Sequence, residues 1–174
     1  GGCGWPATRG GRSPVRVGIR RMGTEGNGAE MARLILILGG ARSGKSRFAQ
    51  ELAHRLGGND VLFVATAEAR DAEMRQRIER HQQSRPGAWR LLEAPLQVGR
   101  ALGESADHSP VVLIDCLTLL VSNVLLTCDE EVAEDAVRAE TNALLAAVRR
   151  RSGTVILVSG EVGQGVVPST PLGR

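Results

Sequence analysis

Short apolar runs alternate with longer stretches of mixed character along most of this chain. The runs lie at residues 34–38 (LILIL), 61–65 (VLFVA), 111–115 (VVLID) and 155–158 (VILV). They are apolar at successive positions, which is typical of strands that are covered on both faces of a parallel sheet. We therefore predict a strand at each of these four positions.

The stretch after the first strand has helical spacing. Within residues 46–56, Phe48, Leu52 and Leu56 recur every four positions and form one stripe. The pair Gly57-Gly58 follows, and glycines at this position are typical of a helix end. We predict one helix here, with the stripe facing the sheet.

Three further helices are predicted downstream. The first, at about 71–84, is very polar and ends before Pro86, and the second, at about 117–126, is apolar. The third begins after Asp129, a good N-cap residue, and runs to about residue 151. Its inward-facing positions are expected to be Ala133, Val137, Leu144 and Val148. Strands that alternate with helices predict an α/β fold with a mainly parallel sheet, flanking helices and ligands at the carboxyl ends of the strands.

Composition excludes several classes of protein. The chain has 174 residues, which is enough for one α/β domain. Aromatic residues make up 2%, too few for a base-stacking nucleic-acid surface. No apolar stretch approaches the roughly 18 residues of a membrane span. The three cysteines are an odd number without a CxxC pair, so neither a disulfide framework nor a zinc site is suggested. This pattern fits a protein of the reducing cytoplasm.

The first 30 residues differ from the rest of the chain. They are rich in Gly and Arg and carry the whole net charge of +3, so the remainder is electrically balanced and has no global field that would attract nucleic acid or membrane. Met31 directly precedes the first predicted strand. We expect residues 1–30 to be a disordered or non-native extension and residues 31–174 to be the folded domain.

A phosphate-binding loop follows the first strand. Residues 39–46 (GGARSGKS) match G-x-x-x-x-G-K-[ST] and open the first helix. In such a loop the backbone N–H groups and the positive helix N-terminus face phosphate oxygens, the lysine reaches the β- and γ-phosphates, and the hydroxyl ligates Mg²⁺. Lys45 is the only lysine in the chain. The nucleotide-binding residues predicted here are Gly39, Gly40, Ala41, Arg42, Ser43, Gly44, Lys45 and Ser46. The alternative is a glycine-rich turn that binds nothing.

Two other residues have the chemistry that a nucleotide site needs. Asp115 ends the strand VVLID, the position from which an acid holds Mg²⁺ near a phosphate-binding loop, although a capping or surface Asp would look the same. His81 stands between Arg77 and Arg85 at helical spacing. The two guanidinium groups favour a neutral imidazole, which is a candidate nucleophile at phosphorus. The alternative for His81 is a surface or packing residue.

Four segments occur in an order that resembles a known family. They are GGARSGKSRFA (39–49), RIERHQQSRPGAW (77–89), IDCLTLLVSN (114–123) and EVGQGVVP (161–168). Together they resemble motifs of the bifunctional adenosylcobinamide kinase / adenosylcobinamide-phosphate guanylyltransferase family of cobalamin biosynthesis. The resemblance covers nearly all of residues 31–174 and implies a P-loop NTPase-like fold.

The resemblance also implies the chemistry. The enzyme would phosphorylate adenosylcobinamide with ATP or GTP, and His81 would then take GMP from GTP and pass it to adenosylcobinamide phosphate. Catalysis would depend on His81 and Lys45, and Mg²⁺ would bind at Ser46 and Asp115. Further contacts to the guanine nucleotide are implied for Thr66, Ala67, Glu68, Gln82, Gln83, Ser84, Arg85 and Glu93. The partners would be these small molecules and, if the chain is full length, further copies of itself, because the family forms homo-oligomers.

The chain departs from the family pattern at two places. Gly160 stands where the family usually has Asn, which is expected to loosen the hydrogen bonding of the following loop. At 169–174 (STPLGR) the family continues into a further helix and strand, so we expect these elements to be missing here. Two alternative functions therefore remain: a different small-molecule P-loop kinase in which His81 is structural, and a nucleotide-binding but inactive fragment.

Overall fold

The computed structural model describes residues 15–22, 32–68, 72 and 86–161. Its strands are β1 (Arg16–Met22), β2 (Ala32–Gly39), β3 (Val61–Ala65), β4 (Arg90–Glu93), β5 (Val111–Asp115) and β6 (Thr154–Gly160). Its helices are α1 (Lys45–Gly57), α2 (Val98–Glu104), α3 (Leu117–Leu125) and α4 (Glu130–Arg150). The helix predicted at about 71–84 lies outside the described residues except at position 72.

The described strands form one sheet in the order β1-β2-β6-β5-β3-β4. The pairs from β2 to β4 across the sheet are parallel, and only β1 runs antiparallel to its neighbour β2. Gly39, Ala65, Glu93, Asp115 and Gly160 therefore lie along one side of the sheet, which we call the carboxyl edge. The predicted α/β fold with a mainly parallel sheet is confirmed.

Both faces of the central strands are buried, as their uninterrupted apolar runs predicted. On β3, Leu62 and Val64 belong to one apolar layer, while Val61 and Phe63 belong to the other. The first layer is completed by α2, α3 and α4 and the second by α1. Each aliphatic side chain buried in this way stabilises the fold by about 1.5–3 kcal/mol relative to exposure.

The buried side of α1 differs from the predicted stripe. Ala49 and Ala53 are fully buried, whereas Phe48 and Leu52 are only partly buried, and Leu56 is 41% exposed. Small side chains in the contact let a helix backbone approach the sheet closely. The buried residues Ala49 and Ala53 each follow a residue of the predicted stripe by one position. The sequence pattern did not identify them because alanine is only weakly apolar.

The N-terminal strand corrects another expectation. Residues 1–30 were expected to be disordered or non-native. Residues 16–22, however, pair one to one with residues 32–38 of β2, so the expectation of disorder is wrong for these residues. Val17 is 46% exposed and Ile19 is 66% exposed. The strand is thus held mainly by backbone pairing, which leaves little trace in the apolar pattern.

The short elements β4 and α2 were not predicted. β4 has four residues at the sheet edge and is mostly exposed. The Glu140 carboxylate on α4 accepts hydrogen bonds from the backbone N–H groups of Gln97 (3.0 Å) and Val98 (2.8 Å) at the start of α2. Because this cap comes from a residue more than 40 positions away, no local signal could reveal it.

Charged groups fix β4 at its amino end. Arg90 contacts Asp60, Ser109 and Asp107, and Arg151 donates to the carbonyl of Asp107 at 3.0 Å. Burial alone would raise the pKa of Asp107, but the hydrogen bonds from Ser109 and the charges of Arg90 and Arg151 outweigh it, and the pKa is lowered.

Among the residues that the structure describes, no helix combines the length and apolar character needed to cross a membrane.

We predict that Gly99→Ala lowers the free energy of unfolding by about 1–3 kcal/mol, the usual cost of overpacking. A Cβ at this position would lie 2.3 Å from the Ala143 carbonyl carbon, so α2 would have to move away from α4. The matched control is Gly103→Ala on the same helix, whose Cβ would meet only the end of the Arg150 side chain at 3.6 Å. Denaturant unfolding followed by circular dichroism measures both, and equal stability of the two variants would contradict the close packing.

Candidate active site

The predicted phosphate-binding loop joins β2 to α1 at the carboxyl edge. Arg42 (φ 57°) and Gly44 (φ 88°) are left-handed, and Gly44 is the N-cap of α1. The Ser43 N–H donates to the Gly40 carbonyl at 3.2 Å and closes the turn. A Cβ on Gly39 would lie 2.6 Å from Ser43 Oγ and 3.3 Å from Ser43 Cβ, so a larger residue here would displace the Ser43 side chain. The strand-loop-helix context required for a phosphate-binding loop is present.

The lysine of the loop is held close to the backbone. Lys45 Nζ donates to the Gly40 carbonyl at 3.2 Å. Lys45 is also the first residue of α1, so its ammonium adds to the partial positive charge at the helix N-terminus. This combination of a full charge and unpaired N–H groups suits the oxygens of a phosphate chain.

An acid and a hydroxyl meet beside the loop. The Ser46 hydroxyl on α1 lies 3.3 Å from Asp115 Oδ1 at the end of β5, and both residues are partly buried. The fold thus brings Asp115 beside the loop, and its role as a metal ligand stays a prediction. The described residues hold no group of three or more His, Cys, Asp or Glu side chains that could bind a metal ion. Magnesium in nucleotide sites needs fewer protein ligands, because it binds one or two carboxylates together with substrate phosphates.

Thr66 lies directly after β3 and is fully buried. Its hydroxyl donates to the Cys116 carbonyl at 2.8 Å and accepts from the Cys116 N–H at 2.8 Å. Both hydrogen-bonding roles of the hydroxyl are thus used within the protein. Thr66 acts on the site by holding the carboxyl ends of β3 and β5 together, not by presenting its side chain to solvent.

Cys116 follows Asp115 and is half-buried, and the peptide bond between them is cis. Burial raises the pKa of the Cys116 thiol, and the neighbouring Asp115 carboxylate raises it further. The thiol is therefore protonated near neutral pH. A protonated thiol is a poor nucleophile.

A buried amide on α3 had no predicted role. Asn123 is 5% exposed and donates from Nδ2 to the carbonyls of Thr66 (2.8 Å) and Pro95 (3.0 Å). It lies in the segment IDCLTLLVSN, but an asparagine within an apolar helix has no motif of its own. Its polarity inside an apolar helix was the one available signal, because a buried amide must find hydrogen-bond partners.

Three other predicted contacts lie at the same edge. Ala67 and Glu68 follow Thr66, and Glu93 ends β4 opposite Ala65 in the pairing register. Glu68 and Glu93 are exposed, whereas Ala67 is partly buried. Ala67 and Glu68 thus lie just beyond β3, which pairs with β5, and Glu93 ends β4, one strand further from the loop; all three are at the carboxyl edge.

The segment after β6 returns to the loop. The Glu161 N–H donates to the Gly39 carbonyl at 3.1 Å, and the Gly160 N–H donates to Thr118 Oγ1 at 2.7 Å. Both N–H groups are therefore bonded, while the rest of the loop that Gly160 was expected to loosen lies outside the described residues.

The remaining predicted residues cannot be positioned. Arg77, His81, Gln82, Gln83, Ser84 and Arg85 lie outside the described residues. The nearest described residues are Ala72 before the segment and Pro86 after it, three residues before the buried Trp89. The proximity of His81 to the phosphate-binding loop stays a prediction.

Comparison with solved structures gives a match to a KaiC-like protein from the hyperthermophilic archaeon Pyrococcus horikoshii OT3. It matches with a TM-score of 0.42 and 17% sequence identity over 84% of this chain and 74% of that chain.

Comparison with protein families gives a specific result. Residues 35–174 match the model of the family described as cobinamide kinase / cobinamide phosphate guanyltransferase. The bifunctional adenosylcobalamin biosynthesis protein CobP of Pseudomonas aeruginosa is 48% identical over 139 residues, which is 80% of this chain and 78% of that protein. The bifunctional adenosylcobalamin biosynthesis protein CobU of Escherichia coli is 39% identical over 150 residues, 81% of this chain and 82% of that protein. This chain therefore belongs to the cobinamide kinase / cobinamide phosphate guanyltransferase family.

Proposed function

We propose that this chain carries out two successive reactions of adenosylcobalamin biosynthesis at one nucleotide site. It phosphorylates adenosylcobinamide with ATP or GTP and then transfers GMP from GTP, through His81, to give adenosylcobinamide-GDP. Family membership supports the pair of reactions. The observation that carries the proposal is the phosphate-binding loop, with Lys45 at its end and Ser46 within 3.3 Å of Asp115.

In the kinase step, the loop holds the triphosphate while the hydroxyl of adenosylcobinamide attacks the γ-phosphorus. The bond from the γ-phosphorus to the bridging oxygen breaks, and the nucleoside diphosphate leaves. Lys45 and the N-terminus of α1 face the negative charge that develops on the phosphate oxygens. Ser43 Oγ is buried and has no hydrogen-bond partner among the described residues, so a bound phosphate oxygen can satisfy it.

In the transfer step, the neutral imidazole of His81 attacks the α-phosphorus of GTP. A P–N bond forms, the bond to the bridging oxygen breaks, and pyrophosphate leaves. The phosphate oxygen of adenosylcobinamide phosphate then attacks the guanylyl phosphorus, and the imidazole is released. Arg77 and Arg85, spaced one helical turn on either side of His81 in the sequence, would favour its neutral form and bind phosphate oxygens.

The residues beside the loop fit a magnesium ion. The Ser46 hydroxyl and the Asp115 carboxylate supply hard oxygen ligands, the type that Mg²⁺ prefers, at the place where phosphate oxygens would complete the set. When bound, Mg²⁺ would neutralise charge on the phosphate chain. Ser46 and Asp115 would hold it, and Lys45 would act directly on the phosphates.

The nucleoside end of the substrate would lie along the neighbouring strands. Thr66, Ala67, Glu68 and Glu93 follow the loop around the carboxyl edge, and Gln82, Gln83, Ser84 and Arg85 belong to the segment that carries His81. Carboxylates accept hydrogen bonds from the N1–H and N2–H₂ donors of guanine. The exposed Glu68 and Glu93 are therefore suited to recognise the base. We place the enzyme in the cytoplasm as a homo-oligomer, which light scattering of the purified protein would test.

We predict that Lys45→Ala weakens nucleotide binding roughly 10- to 100-fold, the loss expected when hydrogen bonds to a charged group disappear. Equilibrium dialysis with a non-hydrolysable GTP analogue measures the dissociation constant. The matched control is Arg47→Ala, which removes a positive charge from an 86% exposed side chain two residues away. An equal loss in both variants would show that only the general charge of α1 matters.

A second prediction concerns the metal. Asp115→Asn keeps the shape of the side chain but removes its charge, so the Mg²⁺ concentration for half-maximal kinase rate should rise about tenfold. Kinase rates measured across a magnesium titration check this result. An unchanged magnesium dependence, with the rate lowered at every concentration, would assign Asp115 a role other than holding the metal.

The nucleophile is tested by covalent labelling. Incubation with GTP radiolabelled at the α-phosphate should leave acid-labile, base-stable label on the protein, and His81→Ala should abolish it. His108→Ala, on an exposed loop, is the matched control and should label normally. Equal labelling of wild type and His81→Ala would refute the assignment. A wild type that transfers γ-phosphate but never labels would be a different P-loop kinase, and one that only binds GTP would be a non-catalytic module.

A further inference from the structure

A buried polar cluster lies next to the site, and Thr66 is its one member among the predicted nucleotide contacts. It consists of Asn123, Thr66, Cys116 and Pro95, and we call it the Asn123 cluster. Asn123 donates to the carbonyls of Thr66 (2.8 Å) and Pro95 (3.0 Å), and the Thr66 hydroxyl exchanges two hydrogen bonds of 2.8 Å with the backbone of Cys116. One continuous chain of hydrogen bonds therefore links α3 to the carboxyl ends of β3 and β5 and to the segment after β4.

The polar group of Asn123 serves hydrogen bonding and not apolar packing. α3 packs on the sheet through the buried Leu120, and Val124 is buried as well, whereas the Asn123 amide meets two backbone carbonyls. A buried amide is stabilising only where its donors are satisfied, and both N–H bonds of Asn123 are used. What the amide provides is a fixed position for two backbone carbonyls.

The two carbonyls belong to segments beyond the ends of their strands. Thr66 follows β3 and precedes Glu68, and Pro95 lies two residues after Glu93. Backbone bonds hold the first residue beyond each strand, since the Thr66 N–H donates to the Asp115 carbonyl (3.3 Å) and the Ala94 N–H to the Ala65 carbonyl (2.9 Å). The carbonyls of Thr66 and Pro95 receive their bonds from a side chain. Asn123 is the described side chain that bonds to both of them.

We propose that Asn123 is a positioning residue for guanine nucleotide, which acts by fixing the separation of the Glu68 and Glu93 carboxylates. This inference rests on the proposed function, in which these two carboxylates contact the base. The cluster also joins the base side of the site to the metal side, because Thr66 is bonded to the residue after Asp115. Within the described residues, the Asn123 amide bonds to Thr66 and Pro95 and not to the phosphate-binding loop, so its loss acts first on the base.

The inference makes the two activities respond differently. Guanylyl transfer needs GTP in its recognised orientation, whereas ATP-dependent phosphorylation relies on the phosphates held by the loop. In Asn123→Ala, the KM for GTP in guanylyl-enzyme formation should rise about tenfold, the effect of losing a buried hydrogen bond, with kcat changed by less than about threefold. The KM for ATP in the kinase step should rise by less than about threefold.

Thr66 supplies an independent pair of variants. Thr66→Val keeps the shape but removes the hydroxyl, and it should raise the KM for GTP as Asn123→Ala does, while Thr66→Ser keeps the hydroxyl and should restore the wild-type value. In the double variant Asn123→Ala/Thr66→Val, the increase should be smaller than the product of the single increases, since both act through one chain of bonds. The Thr66 pair keeps the test decisive if Asn123→Ala does not fold.

Two controls separate positioning from general stability. Ser122→Ala on the same helix removes a hydroxyl that bonds only within α3, and it should leave both KM values unchanged. Ile156→Val weakens the core away from the cluster and should lower Tm without a selective change in KM for GTP. Equal increases in both KM values, or an unchanged KM for GTP in Asn123→Ala and Thr66→Val, would overturn the inference. Failure of the proposed function is recognised separately, by a wild type that never labels or by a His81→Ala variant that still does.

Discussion

The contact between Ser46 and Asp115 joins residues 69 positions apart, and the rest of the site depends on the geometry behind it. Parallel strands bring their carboxyl ends to the same edge, so a helix that starts after β2 can meet an acid that ends β5, with β6 between the two strands. The same geometry sets Thr66, Glu68 and Glu93 along that edge. A change of direction in β5 would move Asp115 to the opposite side of the sheet and leave the loop without its acid.

The position of β4 depends on contacts made far from the nucleotide. The close approach of α2 to α4 at Gly99, the cap that Glu140 provides and the ion pairs of Arg90 all fix the segment that begins at Trp89. Glu93 is carried on this segment, so packing between helices on one face and charges at the amino end of β4 decide where this carboxylate lies. These contacts explain how a four-residue edge strand can hold in place the side chain that we propose contacts the base.

The sequence predicted the parts of the molecule whose signals are local. Uninterrupted apolar runs identified β2, β3, β5 and β6, and the spacing of Gly39, Gly44, Lys45 and Ser46 identified the loop. Asp115 was predicted from its place at a strand end, and its distance from Ser46 agrees. The features that the sequence could not predict depend on partners distant in the chain. β1 is held by the backbone of β2, and α2 is capped by a residue of α4. The role of Asn123 becomes visible only when Thr66 and Pro95 are folded against it.

The N-terminal strand β1 makes β2, which leads into the phosphate-binding loop, an interior strand of the sheet instead of an edge strand. With β1 in place, β2 is an interior strand whose backbone is bonded on both sides. A polypeptide that started at Met31 would present the outer backbone of β2 as an open template, the kind of surface on which a second molecule can add a strand. The arginine-rich segment 16–22 covers that side of β2 and becomes the edge strand itself, and its three arginines disfavour strand pairing with the same segment of a second copy.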